Sequence, residues 1–173
     1  MKTLVLCGAF VAAATTTFAQ QSPAQTASWS AGGKTVTVKY SAPSVRGRKI
    51  FGEGGLVMKD PGAPVWRAGA NSATALHTDA DLDIAGLAVP AGDYTLFVNV
   101  KDPDNWELIV SKETGQWGLS YKAAKDFGHV KMTMAKPPAL VETLKYTITG
   151  EGKKGKLQLE WENHIASVPV SVK

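Results

Sequence analysis

The stretch with the most chemical potential runs Trp66-Arg67-Ala68-Gly69-Ala70-Asn71-Ser72-Ala73-Thr74, an aromatic residue and a cation ahead of small residues. The planar fork of Arg67 matches a carboxylate and can also lie against an aromatic face. Gly69 permits backbone angles that other residues resist, and Asn71 and Thr74 can bond nearby backbone groups. Two readings stand side by side. In the first, the stretch is a structural corner, where Arg67 pairs with Glu142, Asp126 or Glu160 and pins the glycine- and proline-rich segment 45–64. In the second, it borders a shallow pocket for an anionic or sugar ligand. Trp66 would then be the platform, and Arg46, Arg48, Arg67 and Asn71 the polar contacts, with Thr74 and Glu142 beside them. A few placed polar groups suffice for such a site. Trp117, in Gly115-Gln116-Trp117-Gly118, is the loop tryptophan best suited to stack on a sugar, with core packing the alternative.

Other constellations are weaker. Asp79, Asp81 and Asp83 imitate the start of a calcium loop, but that loop needs Gly at its sixth position and Glu at its twelfth, where Ile84 and Pro90 stand. On a strand the three aspartates would project as a row onto one solvent face. His77, His129 and His164 are far apart, with no H-E-x-x-H spacing or paired cysteines to suggest zinc. No metal is expected. The G-x-S-x-G elbow, the P-loop and the dinucleotide fingerprint are missing from the sequence, so no cofactor is expected either. Carboxylate pairs carry no sequence signature. A metal-independent hydrolase using Glu142 or Asp126 with the arginines therefore stays among the alternatives.

The elements that must position these residues read as strands. Apolar side chains alternate with polar ones at Val36, Val38 and Tyr40; at Tyr94, Leu96, Val98 and Val100; and at Trp106, Leu108 and Val110. They do so again at Leu144, Tyr146 and Ile148, and at Leu157, Leu159 and Trp161, with Lys156, Gln158, Glu160 and Glu162 facing out. A period of two marks half-buried strands of antiparallel sheets. Trp29, Trp106 and Trp161 fall inside these patterns and are assigned to the core. Turns are expected at 31–33, 90–93, 102–105 and 151–155 from their glycine, proline and aspartate content. Segment 45–64 reads as one long loop, with a short helix near 48–51, and another helical turn is expected at 121–127. Strands at about ten-residue spacing indicate a sandwich or barrel.

The first residues, MKTLVLCGAFVAAATTTFAQ, place a lysine before an apolar run of about eleven residues, too short to span a bilayer. Small residues follow. This is the layout of a secretory signal peptide, with cleavage expected after Ala19. Its removal takes away Cys7, the one cysteine, and lowers the net charge from +4 to about +3. The remaining roughly 150 residues can build one core, held without disulfides. Acids and bases are interspersed, which is not a nucleic-acid footprint, and no further apolar run could span a membrane.

Several quoted stretches together resemble the bacterial secreted family called domain of unknown function 2911. They are residues 41–52, Trp66 to Asn71 with Thr74, Pro90 to Phe97, Trp106, Trp117-Gly118, Tyr121, Asp126 and Val141-Glu142. The resemblance runs from about residue 26 to 170. That family often has an acid after the asparagine, where this chain has Ser72, so no role for that acid carries over. The resemblance implies an exported, single β-rich domain. It implies no reaction and transfers no catalytic residue.

The expectation is thus a signal peptide (1–19), a flexible leader (20–26) and one all-β antiparallel sandwich, of plain or jelly-roll form (27–173). The expected location is the periplasm or beyond. The leading function is non-catalytic binding of a small polar or carbohydrate ligand around Arg46, Arg48, Trp66, Arg67, Asn71, Thr74, Trp117 and Glu142. The alternatives are the hydrolase and a structural or protein-interaction module.

Overall fold

The computed structural model describes residues 21–173, so the expected signal peptide lies outside the described residues. The chain forms two antiparallel sheets packed face to face. The strands are β1 (Ala24–Ala31), β2 (Lys34–Ser41), β3 (Val65–Trp66), β4 (Thr74–Thr78), β5 (Leu82–Ile84), β6 (Leu87–Val89) and β7 (Gly92–Asn99). They continue with β8 (Glu107–Ser111), β9 (Asp126–Lys131), β10 (Thr133–Ala135), β11 (Val141–Glu151), β12 (Lys154–Glu162) and β13 (His164–Val172). The first sheet runs β1-β2-β4-β7-β8-β9, with β3 also on β7; the second runs β11-β12-β13-β5-β6, with β10 also on β13.

The alternation read from sequence is what builds the core. Val36, Val38, Leu76, Leu96, Val98, Leu108 and Val110 of the first sheet face Leu144, Leu157, Leu159, Ala166, Val168 and Val170 of the second. Each such aliphatic burial contributes about 1.5–3 kcal/mol. Trp29, on β1, lies over Gly150 and Gly155 of the facing hairpin. A Cβ on Gly150 would come 2.6 Å from its indole, so glycine there admits the ring.

Three local features differ from expectation. The leader is shorter, because Ala24, Gln25 and Thr26 already pair with Ser41, Tyr40 and Lys39. No helix forms at 48–51; the single 3-10 turn of the long loop is Val57–Lys59, whereas the one expected near 121–127 is present at Ala123–Lys125. Glu162 does not face out. It is buried, with φ 55°, and its Oε1 accepts the Ile50 N–H at 2.9 Å. That bond draws Ile50 and Phe51 of the long loop into the core.

Strand β7 is buried on both faces. Its outer residues Thr95 and Phe97 lie beneath a strap, residues 112–125, which packs Tyr121 on Phe97 at 5.0 Å and accepts a 2.7 Å bond from Thr95 Oγ1 at the Glu113 carbonyl. Elsewhere, β2 and β4 leave Lys39, Ala75 and His77 exposed on the outer face. The strap therefore covers one half of the first sheet and leaves the other half open.

Candidate functional site

Strands β3 and β4 both pair with β7, Trp66 opposite Val98 and Thr74 opposite Leu96. Residues 67–73 thus loop out of one nearly continuous strand line, opposite Phe97. The excursion is a hydrogen-bonded corner. The Trp66 indole N–H donates to the Gly69 carbonyl at 3.1 Å, and Thr74 Oγ1 donates to the Ala68 carbonyl at 2.9 Å. The hydroxyl of Tyr146, from the second sheet, donates to the same Ala68 carbonyl at 3.0 Å. Tyr146 also packs edge-on against Tyr40 at 4.8 Å, and its N–H donates to the Tyr40 hydroxyl. Ala68 (φ 54°) and Asn71 (φ 59°) adopt the left-handed conformation that lets the chain double back. Gly69 is required by closeness, since a Cβ would meet Thr74 Oγ1 at 2.9 Å.

This geometry redistributes the expected site. Trp66 is only 2% exposed, stacked on Trp161 at 5.6 Å and edge-on to Phe51, so it offers no platform to a ligand. Thr74 is fully buried. Arg67 does pin the long loop, but its carboxylate is Asp60, at 3.2 Å, rather than Glu142, Asp126 or Glu160. Arg67 Nε and Nη1 are buried with no partner among the described residues. Glu142 instead accepts the Arg46 N–H at 2.8 Å, and its carbonyl accepts the Val45 N–H. Arg48 donates to the Val45 and Ser44 carbonyls. Arg46, Arg48, Ser44 and Thr143 border a separate polar cleft of about 310 Å³. Asp126 is taken up by Tyr121, whose hydroxyl donates at 2.6 Å, and by His129 at 2.8 Å.

The aspartates do not form a row either. Asp79 accepts the Thr35 N–H of β2, Asp81 the Ala91 N–H ahead of β7 and Asp83 the Gly86 N–H of its own turn, so each is engaged by a different backbone segment. Among the described residues no group of three or more His, Cys, Asp and Glu side chains is arranged to hold a metal ion.

What the small residues of the stretch do provide is a floor. On the open half of the first sheet, two adjoining depressions of about 540 and 290 Å³ share Lys39 and Ala75. The larger is lined by Thr37, His77, Asp93 and Thr114, and the smaller by Ser72, Ala73, Gly115 and Gln116. The edge of the strap forms one wall. It is zipped to the corner by Ala73 N–H to the Gln116 carbonyl (3.3 Å) and Gly118 N–H to the Asn71 carbonyl (3.1 Å), with Trp117 bridged to Ser72. Trp117 itself is 54% exposed, the most exposed large apolar residue described. Asn71 and Trp117 therefore sit at the zip beside this wall and line neither depression, and Arg46, Arg48 and Glu142 lie elsewhere.

The charges in the groove are balanced. His77 sets Nδ1 2.8 Å from Asp93 Oδ1 and Nε2 3.1 Å from Asp79 Oδ1, so both ring nitrogens face carboxylates. The Asp93 bond, then the Asp79 bond, raise the His77 pKa above its ordinary value. The Thr35 N–H, then His77, hold Asp79 below the usual carboxylate range. Sequence reading missed Lys39, His77 and Asp93 because polar residues on the wet face of a strand carry no mark of what stands beside them.

An antiparallel two-sheet sandwich with a strap-walled groove on one outer face is the class of protein the geometry defines. The chain belongs to the family described as "Protein of unknown function (DUF2911)", whose model matches residues 22–170. No curated protein and no solved structure matches it.

Proposed function

We propose that this is an exported, non-catalytic binding module that takes a small neutral carbohydrate in the groove between β2, β4 and the strap. The observation that carries the reading is the groove's composition. A floor of small residues, Ser72, Ala73 and Ala75, meets the strap at Gly115 and Gln116, and the exposed Trp117 follows directly on them. Small side chains let a flat ring approach the sheet, and an indole face supplies apolar contact to its C–H side. Lys39 and Thr114 offer donors, and Asp93 and Thr37 offer acceptors, for the hydroxyls, while His77 orients Asp93. Balanced charge favours a neutral ligand over an ion. Export is supported by residues 1–19, whose layout is that of a cleavable signal.

Calorimetric titration with neutral oligosaccharides of glucose, xylose, mannose and N-acetylglucosamine tests the reading. At least one is expected to bind saturably, and Trp117→Ala to weaken it roughly tenfold, about 1.4 kcal/mol. No binding across the panel, or binding indifferent to Trp117→Ala, would count against it. N-terminal sequencing of the protein from its native cell tests export. A chain beginning at Gln20 outside the cytoplasm is expected, and an intact Met1 in the cytoplasm would refute it.

A further inference from the structure

A buried glutamate with a left-handed backbone lies at a hairpin tip. Trp161 pairs with His164, so Glu162 and Asn163 are the two central residues of the β12–β13 turn. A tight turn with positive φ at its first central residue ordinarily takes glycine there. This chain has glutamate at φ 55°, and buries it. Oε1 satisfies the Ile50 N–H. Oε2 lies 3.3 Å from His164 Nδ1, without the alignment of a full hydrogen bond.

His164 is held on its other sides as well. Its ring stacks on Trp106 at 5.1 Å and 17° and meets the edge of Phe51 at 4.9 Å. Nδ1 is buried, so the part of the ring left to the outside is the Nε2 edge. Burial lowers the pKa of His164, an effect larger than the opposing pull of Glu162, and near neutral pH the imidazole is uncharged. A neutral imidazole carrying its proton on Nδ1, 3.3 Å from the Glu162 carboxylate, leaves Nε2 as an acceptor. His164 lines a cavity of about 360 Å³ together with Asn163, Asp104, Lys136, Pro103 and Met134.

That lining offers one cation, Lys136, two acceptors, His164 Nε2 and Asp104, an amide that can do either, and an apolar side. We infer that this cavity binds a small hydroxylated carboxylic acid of the sugar-acid type. Lys136 and Asn163 take the carboxylate, His164 Nε2 and Asp104 accept from hydroxyls, and Met134 and Pro103 cover the carbon skeleton. Securing Ile50 accounts for one oxygen of Glu162. The other oxygen stands 3.3 Å from the Nδ1 of a histidine that opens on this cavity.

The site is independent of the sheet groove and is tested separately. D-Glucuronate and D-gluconate are titrated calorimetrically into wild type, His164→Phe and Lys136→Met, with D-glucose as the uncharged control. His164→Phe keeps a ring on Trp106 and removes Nε2; Lys136 is exposed, so Lys136→Met leaves the fold intact. At least one acid is expected to bind wild type, glucose not to compete with it, and each variant to bind at least tenfold more weakly at an unchanged melting temperature. Failure of both acids to bind, affinity unchanged in Lys136→Met, or equal competition by glucose would overturn the assignment. Loss of binding by Trp117→Ala would equally overturn it, by placing the acid in the groove.

Discussion

At the residue scale, Glu162 and Ala68 show how a single polar contact can settle where a segment goes. Ile50 and Phe51 sit in the core although they belong to a loop, because Glu162 answers the Ile50 N–H. Glu162→Ala strands that buried donor, and a loss of about 1–3 kcal/mol is expected in chemical denaturation. Glu162→Gln keeps an acceptor and is expected to lose less. If the two variants are equally stable, the bond to Ile50 does not hold the loop. Removing the Tyr146 hydroxyl from Ala68 by Tyr146→Phe is expected to cost about 1 kcal/mol, measured the same way. Ala68 has no side-chain group that can act at a distance. Its carbonyl nonetheless gathers two hydroxyls, and nothing in the type of residue 68 signals that.

At the element scale, the strands were legible and the connections were not. Alternating patterns identified β2, β11 and β12 because one face of each meets the opposite sheet and the other meets water; β8 was found as well, although Ile109 and Ser111 on its outer face are buried. The same rule misplaces Thr95 and Phe97, whose outward face is covered by a strap that belongs to no strand pattern. It misplaces Trp66 too, since an excursion at 67–73 hides that β3 and β4 flank one strand. Of the eight expected site residues, Asn71 and Trp117 lie at the zip beside the groove wall; the arginine pair 46 and 48 and Glu142 went elsewhere because loop 45–48 folds onto β11 rather than toward the corner. The strap depends on close approach at Gly118, where a Cβ would come 2.6 Å from the Asn71 carbonyl and would also meet Arg67. Gly118→Ala is expected to unseat the strap, seen as faster amide exchange over 112–118 with β11–β13 unchanged. Exchange unchanged over the strap would show that the wall stands without this contact.

At the scale of the whole molecule, two histidines make stability depend on pH in opposite senses. The His77 pKa is raised, so its contribution is fully present below the ordinary value near 6.5 and is lost as pH rises through the higher folded value. The His164 pKa is lowered, so its neutral, stacked form favours folding above 6.5, and that contribution is lost as pH falls through the lower folded value. Histidine titration by NMR is expected to find His77 above 6.5 and His164 below it. Asp93→Asn is expected to bring His77 down without moving His164. The reverse order would contradict both environments. His77 is also the charge at the centre of the groove, so its titration marks the pH at which the groove loses its balance of charge.

The central claim is that the open half of the first sheet is a binding surface. Its most direct test is an amide chemical-shift titration of the isotope-labelled protein with the oligosaccharide that calorimetry selects. Shifts are expected to concentrate at Lys39, Ser72, Ala73, Ala75, His77 and residues 114–117, and to vanish in Ala75→Leu, whose side chain fills the floor. Shifts confined to the Arg46–Arg48 cleft or the hairpin at Glu162, or shifts that persist in Ala75→Leu, would contradict it.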